Sequence, residues 1–214
     1  MRTDSATRGA GTRRLAVVSA GLGVPSSTRL LADRLAAAAA DALRERGVGP
    51  EVEVVELRGH AHELVDNVLT GFAGPALQEA LDTVAGADGV VAVTPVFSGS
   101  YNGLFKMFFD VLERESLAGT PTLIAATGGT ARHSLALDHA LRPLLAHLRA
   151  VVVPTGVFAA PADWGAGDGG TAGLDRRIAR AAGELADLVA IRPAHAARDP
   201  FADAPTFADL LRGA

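Results

Sequence analysis

Short apolar runs return along this chain at 15–20, 52–57, 89–94, 121–127 and 151–153, the last resuming at 157–158, and a stretch of helical periodicity separates each from the next. A run of valine, leucine, isoleucine and alanine with little polar alternation is what a parallel strand covered on both faces requires. Parallel neighbours need a long crossover, which the intervening helices provide. Only 52–57 opens with alternation, Glu51, Glu53 and Glu56 standing among valines, and this predicts an edge strand. A helix is predicted from the hydroxyl cluster Ser26-Ser27-Thr28 to Gly47, carried by Leu30, Leu31, Leu35, Ala38, Ala42 and Leu43. Two weaker helices lie between 59 and 85, broken at Gly71 and Gly74-Pro75. Further helices are predicted over 104–112, over 133–149 with a kink at Pro143, and through Leu174, Ile178, Ala181, Leu185 and Leu188. Right-handed crossovers then give an α/β fold, a doubly wound five-stranded parallel sheet in the order 2-1-3-4-5. Its ligand crevice lies where strands one and three end.

The length of 214 residues suits one domain, expected over 14–191. An Arg/Thr/Gly/Ala-rich leader over 1–13 lacks the apolar stretch of a secretory signal and is expected to be flexible. An irregular tail over 192–214 is punctuated by Pro193, Pro200 and Pro205. A net charge of -4 supplies no cationic field for a nucleic acid or an anionic membrane. No apolar run reaches the length of a membrane span, about 18 residues, so a soluble protein is expected. Without cysteine there is no disulfide, thiolate metal site or dithiol couple, so any electron chemistry runs on a bound cofactor.

Three strand ends carry the chemistry. The first reads Ser19-Ala-Gly-Leu-Gly-Val-Pro-Ser-Ser-Thr-Arg29, delivering three consecutive hydroxyls to a helix start after two glycines. Amides at a helix N-terminus, a macrodipole worth about half a positive charge and short hydroxyl side chains together suit a terminal phosphate. A lone serine there reads as an N-cap. A dinucleotide fingerprint competes, with Gly21 and Gly23 in place and Ser26 where its third glycine belongs. Arg29 either adds charge or faces solvent. The second strand end, Thr94-Pro-Val-Phe-Ser-Gly-Ser-Tyr-Asn-Gly103, offers backbone amides beside Phe97 and Tyr101, which either flank a flat ring or serve as core or interface aromatics. The third, Thr127-Gly-Gly-Thr-Ala-Arg-His-Ser134, has room for amide donors aimed at the polar edge of such a ring, where negative charge develops on reduction. His133 either assists there or lies on the surface.

No H-E-x-x-H, G-x-S-x-G or Walker lysine is present, which removes support for metal hydrolysis, acyl transfer and P-loop chemistry. His60 and His62 are two residues apart, diverge on a helix and suggest no third ligand, so no metal site is expected.

Over roughly 14–188 the three loops resemble the NADPH-dependent FMN reductase family, particularly actinobacterial reductases that accompany flavin-dependent monooxygenases. The resemblance implies the flavodoxin-like three-layer sandwich in the cytoplasm, with FMN and NADPH, or NADH, as its ligands. It implies that Ser26, Ser27 and Thr28, with Ser19 before them, hold the FMN phosphate. Pro95, Val96, Phe97, Ser98, Gly99, Ser100 and Tyr101 would line the ring and ribityl chain, and Thr127, Gly128 and Gly129, with His133 beside them, the pyrimidine side. Hydride passes from the nicotinamide to the flavin, which asks for positioning and for no protein acid or base. A homodimer or homotetramer is implied through 104–112 and 138–148. One departure is the first loop, which reads Ala-Gly-Leu-Gly-Val-Pro where many relatives carry a Gly-Ser-Pro-Arg type of loop with a basic residue. Other readings are a flavoprotein that reduces quinones, azo compounds or metal oxyanions, a flavodoxin-type electron carrier, and a non-catalytic domain on the same fold.

Overall fold

Continuous apolar sequence becomes a central sheet in the computed structural model, which describes residues 11–165 and 170–193. Most of the expected leader, and the tail from 194, lie outside the described residues. Strands β1 (Thr12–Ser19), β2 (Gly49–Glu56) and β3 (Gly89–Phe97) are joined by helices α1 (Ser27–Glu45), α2 (Ala61–Thr70) and α3 (Pro75–Ala85). After β3 come a short strand β4 (Ser100–Tyr101), helix α4 (Gly103–Val111) and β5 (Pro121–Thr127). Helix α5 (Arg142–His147), strands β6 (Val151–Val152) and β7 (Val157–Ala159) and helix α6 (Gly170–Ile191) complete the order.

The sheet runs β2-β1-β3-β5-β6 with parallel pairing, and β7 also pairs with β5. This is the expected order, with the fifth strand divided in two. The division falls at Pro154, which has no N–H for a ladder. Side chains replace the missing bonds. Arg142 donates to the carbonyls of Val153 and Pro154, each at 3.0 Å, and Glu184 accepts from the Thr155 amide and hydroxyl, each at 2.7 Å.

Two stretches differ from expectation. The loop expected at 96–103 includes a tight antiparallel hairpin of β3 with β4, closed by Ser98 (φ 50°) and Gly99 (φ 83°). Two successive residues at positive φ are what a two-residue type I′ turn needs. The single helix expected over 133–149 is instead three pieces: a 3-10 turn Ala131–His133, a π-helical turn Leu137–Leu141 and α5. Pro143 lacks the N–H that would continue the ladder, and the preceding turn widens to pass it.

Each sheet face has its own core. On one, Leu15, Val17, Val91, Val93, Leu123 and Ala125 meet α1 and α6. On the other, Ala16, Val18, Ala92, Ile124 and Ala126 meet α2, α3 and the buried Phe105, Phe108 and Phe109 of α4. β1 therefore sends its crossover to one face and β3 to the other, which opens a crevice between their C-terminal ends. Asn102 spans the parting. Its Nδ2 donates to the Ala20 carbonyl at 2.7 Å, its Oδ1 accepts the Phe105 amide at 2.9 Å as the N-cap of α4, and its own amide donates to Thr94 Oγ1 at 3.2 Å.

Two substitutions test this packing. A Cβ at Gly89 would lie 2.6 Å from Val189 Cγ2 and 3.0 Å from Leu15 Cδ2, both buried, and β-branched Val189 has little rotamer freedom to yield. Gly89→Ala is expected to lower the urea unfolding free energy by about 1–3 kcal/mol. Asn102→Ala removes a helix cap and strands the buried Ala20 carbonyl, for an expected loss of about 2–4 kcal/mol in the same titration. Asn102→Asp keeps the cap acceptor but sets a buried carboxylate oxygen against the Ala20 carbonyl, and is expected to lose at least as much as Asn102→Ala at neutral pH. A loss below about 0.5 kcal/mol in Asn102→Ala would show that the tie carries no stability.

Candidate functional site

A cleft of about 560 Å³ opens at the C-terminal ends of β1, β3 and β5, a size within the usual range for cofactor sites. It gathers Ser26, Ser27 and Thr28 from the start of α1, Pro95, Val96 and Phe97 from the end of β3, and Thr127, Gly128 and Gly129 from the end of β5. Nine of the residues singled out from sequence thus line one cavity.

The three hydroxyls at the α1 start have three different roles. Ser26 is the N-cap, its Oγ accepting the Arg29 amide at 3.2 Å. Thr28 is buried, and its Oγ1 lies 2.8 Å from Thr127 Oγ1, which ties the first loop to the third. Ser27 is exposed and lines the cleft, and its hydroxyl has no such duty. The amides of Ser27 and Thr28 belong to the first turn, where no intrahelical acceptor exists, so they and the helix dipole are what the cleft offers to an anion. Gly21 is required here, because a Cβ on it would lie 2.1 Å from Ser26 Oγ. Gly128 is required in the same way, its Cβ position lying 2.7 Å from the Phe158 ring.

Arg29 does not bring charge into the cleft. It pairs with Asp33 at 2.7 Å and with Glu56, and hydrogen bonds to these two carboxylates raise its pKa above the ordinary arginine value.

The remaining predicted residues lie apart from the cleft wall. Ser19 is buried in β1 below it. Ser98 and Gly99 form the exposed hairpin turn. Ser100 and Tyr101 border a second groove of about 590 Å³ between α4 and α5, shared with Lys106, Asp110, Leu144 and His147. Tyr101 there stacks on Phe105, with ring centroids 5.8 Å apart. His133 is exposed in its 3-10 turn.

Sequence reasoning missed Trp164, which lines the cleft with Leu22, Gly23, Pro25, Ala159 and Pro161. It ends a 3-10 turn, Pro161–Trp164, that follows β7. Asp163 fixes this turn by accepting the Ala160 amide at 2.8 Å and Arg177 of α6 at 2.6 Å. Burial alone would raise the Asp163 pKa, but these two donors outweigh it and hold the carboxyl below the usual range. The Arg34 guanidinium, paired with Asp175, lies over the indole at 5.7 Å from its ring centre. The signal in the sequence was that the chain's one tryptophan follows the last strand, the side of the sheet on which the other loops cluster.

Comparison with known proteins agrees with this fold. The profile of the NADPH-dependent FMN reductase family matches residues 13–165. The chain is 39% identical over 151 residues to an FMN reductase (NADPH) of Pseudomonas aeruginosa, covering 71% of this chain and 78% of that protein. It is 38% identical over 165 residues to the NADH-dependent FMN reductase SfnE of Pseudomonas putida, covering 77% and 86%. Among solved structures, an oxidoreductase from Corynebacterium diphtheriae superposes with a TM-score of 0.80 at 52% identity, over 83% of this chain and 97% of that one. The apo form of an NADH:FMN oxidoreductase, EmoB, superposes with a TM-score of 0.69 at 26% identity, over 87% and 96%. With that profile matched over residues 13–165, this chain belongs to the NADPH-dependent FMN reductase family.

Proposed function

We propose that the protein is an NAD(P)H-dependent FMN reductase, with the cleft at the ends of β1, β3 and β5 as its flavin site. The observation that carries this reading is the meeting in one cavity of the Ser27 and Thr28 amides, the apolar wall of Pro95, Val96 and Phe97, and the Gly128-Gly129 turn. Those are the donors a phosphate monoester needs, a surface for a flat ring and an open backbone for the ring's polar edge. The donor set and the cavity fit FMN.

When bound, the flavin supplies the redox chemistry, taking two electrons and a proton from the nicotinamide as hydride. The chain's residues bind and orient. Ser27 Oγ and the first-turn amides of α1 hold the phosphate, with the helix dipole in place of a basic side chain. Phe97, half-exposed at the mouth, supports the ring side. The Gly128 amide is already donated to the Ala159 carbonyl at 3.1 Å, which fixes the turn, and the Gly129 amide would be the donor to negative charge on the ring edge. The Thr28–Thr127 bond keeps the phosphate end and the pyrimidine end at a constant separation. Among the described residues no group that lines the cleft is suited to act as an acid or base, and positioning serves hydride transfer.

The reading extends to delivery of reduced FMN to a flavin-dependent monooxygenase. Support comes from the pairing of Arg29, beside the phosphate end, with Asp33 and Glu56, since a dianion held by neutral donors and a dipole leaves more readily than one held by a guanidinium. A cytoplasmic location belongs to the same reading. Among the described residues no helix is long and apolar enough to cross a membrane. A homodimer, or a tetramer built from it, is proposed through the groove between α4 and α5, where Tyr101, Ala140, Leu144 and Leu148 remain only partly buried.

NADPH and NADH oxidation, followed in air while free FMN is raised from none to excess, is expected to saturate with FMN. A protein that is yellow as isolated yet oxidises neither nucleotide would be a carrier, and one that neither binds FMN nor turns over would sink the proposal. In light scattering the protein is expected to be dimeric or larger, and Leu144→Asp, which places a charge in the groove, is expected to shift it to a monomer. A monomeric parent protein would remove the assembly from the reading.

A further inference from the structure

On the reading just proposed, one end of the cleft must decide which flavins enter. FMN ends at its phosphate, whereas the dinucleotide FAD continues from the same position through a second phosphate to an adenosine. A site that holds the phosphate at the Ser27 and Thr28 amides meets that extension immediately beyond the first turn of α1.

Trp164 stands at this place. Ser27 and Arg34 are seven residues apart on α1, two turns along one face. A helical side chain leans toward the N-terminus, so the Arg34 guanidinium reaches back toward Ser27, and it lies over the Trp164 ring at 5.7 Å. The indole therefore lies beside the first turn, and both Trp164 and Ser27 line the cleft. It is also held from two sides by α6, through Asp175 on Arg34 and through Arg177 on Asp163 of the same 3-10 turn. A side chain so propped acts as a wall, because swinging aside would cost the stack with Arg34. The opposite flank, Leu22 to Pro25, is set by backbone, with Gly21 packed against Ser26.

We infer that Trp164 is a specificity-determining residue, its indole closing the α1 end of the cleft so that a flavin with a terminal phosphate is accepted and one extended by an adenylyl group is refused. Exclusion by a rigid wall needs no contact with the accepted ligand, so removing the wall alters selectivity more than FMN affinity.

The experiment measures dissociation constants for FMN and FAD by quenching of flavin fluorescence with flavin-free protein and no nicotinamide, for the parent protein, Trp164→Ala and Trp164→Phe. Steady-state kcat/KM with each flavin is measured alongside. The parent is expected to prefer FMN. Trp164→Ala is expected to lower the FAD-to-FMN ratio of dissociation constants about tenfold, mainly by tightening FAD, while Trp164→Phe keeps most of the preference because it keeps a ring. Far-UV circular dichroism checks that each variant is folded, and Trp164→Phe, the conservative change, carries the test if Trp164→Ala is not: a ratio falling part of the way supports the inference.

A parent that binds both flavins equally, a ratio unmoved in both variants, or a selective loss of FAD in Trp164→Ala would overturn the inference, the last because it would make the indole a platform for adenine. If the parent binds FMN and oxidises NADPH while the ratio stays unmoved, the inference alone fails. If it binds neither flavin, the proposed function fails and takes the inference with it.

Discussion

Where β1 and β3 part, the backbone loses the partners that a parallel ladder would have given it, and side chains have to supply them. Ala20 still donates to the Val93 carbonyl at 2.9 Å, but its own carbonyl has no further strand to pair with and is taken by Asn102. Asn102 at the same time caps α4, so the point at which the chain leaves for one face of the sheet is bonded to the helix that covers the other. A buried acceptor left unmade costs about 1–3 kcal/mol, which makes this tie obligatory. The crevice exists because the two crossovers diverge, and it keeps its shape because Asn102 and the Thr28–Thr127 pair bind its edges.

Features that were legible in the sequence are those that burial on both faces writes into composition. Val90 to Val93 and Leu123 to Ala126 are wholly buried and read as strands without help from their surroundings. The edge position of β2 was legible for the converse reason, its glutamates remaining exposed. The hairpin at Ser98 and Gly99 was less legible because a serine at positive φ is uncommon and only the pairing of β4 with β3 holds it there. The π turn before Pro143 is an adjustment to a single residue within a periodic stretch, and apolar periodicity is nearly blind to a change of one residue per turn.

The site was legible as a set of loops and not as a set of roles. Ser26, Ser27 and Thr28 look equivalent in sequence, yet the structure makes them a cap, a free hydroxyl and a strut, the last through Thr127, 99 residues away in the chain. Arg29 looks like a phosphate ligand until Asp33, one turn on, and Glu56, at the end of β2, take it. Trp164 was hidden because the residues that place it, Arg34 and Arg177, lie on two helices distant in sequence and the turn that carries it has no periodicity of its own.

These reassignments bear on how such a cleft works. If the start of α1 holds a phosphate, as proposed, a site of amides, hydroxyls and a dipole has modest grip and fixed geometry, and the guanidinium of Arg29 beside it is already paired with two carboxylates. Binding strength and binding precision are therefore supplied by different parts. On the proposed reading, donors at the start of α1 would set how firmly an anion is held, whereas the buried Thr28–Thr127 pair and the Asn102 tie would set where it sits. Hydride transfer gains from the second far more than from the first, because its rate depends on the alignment of two rings, and a ligand held too firmly would leave too slowly to be passed on. A scaffold that spends its buried hydrogen bonds on alignment, and keeps Arg29 and Arg34 of α1 paired with carboxylates, is arranged for that division.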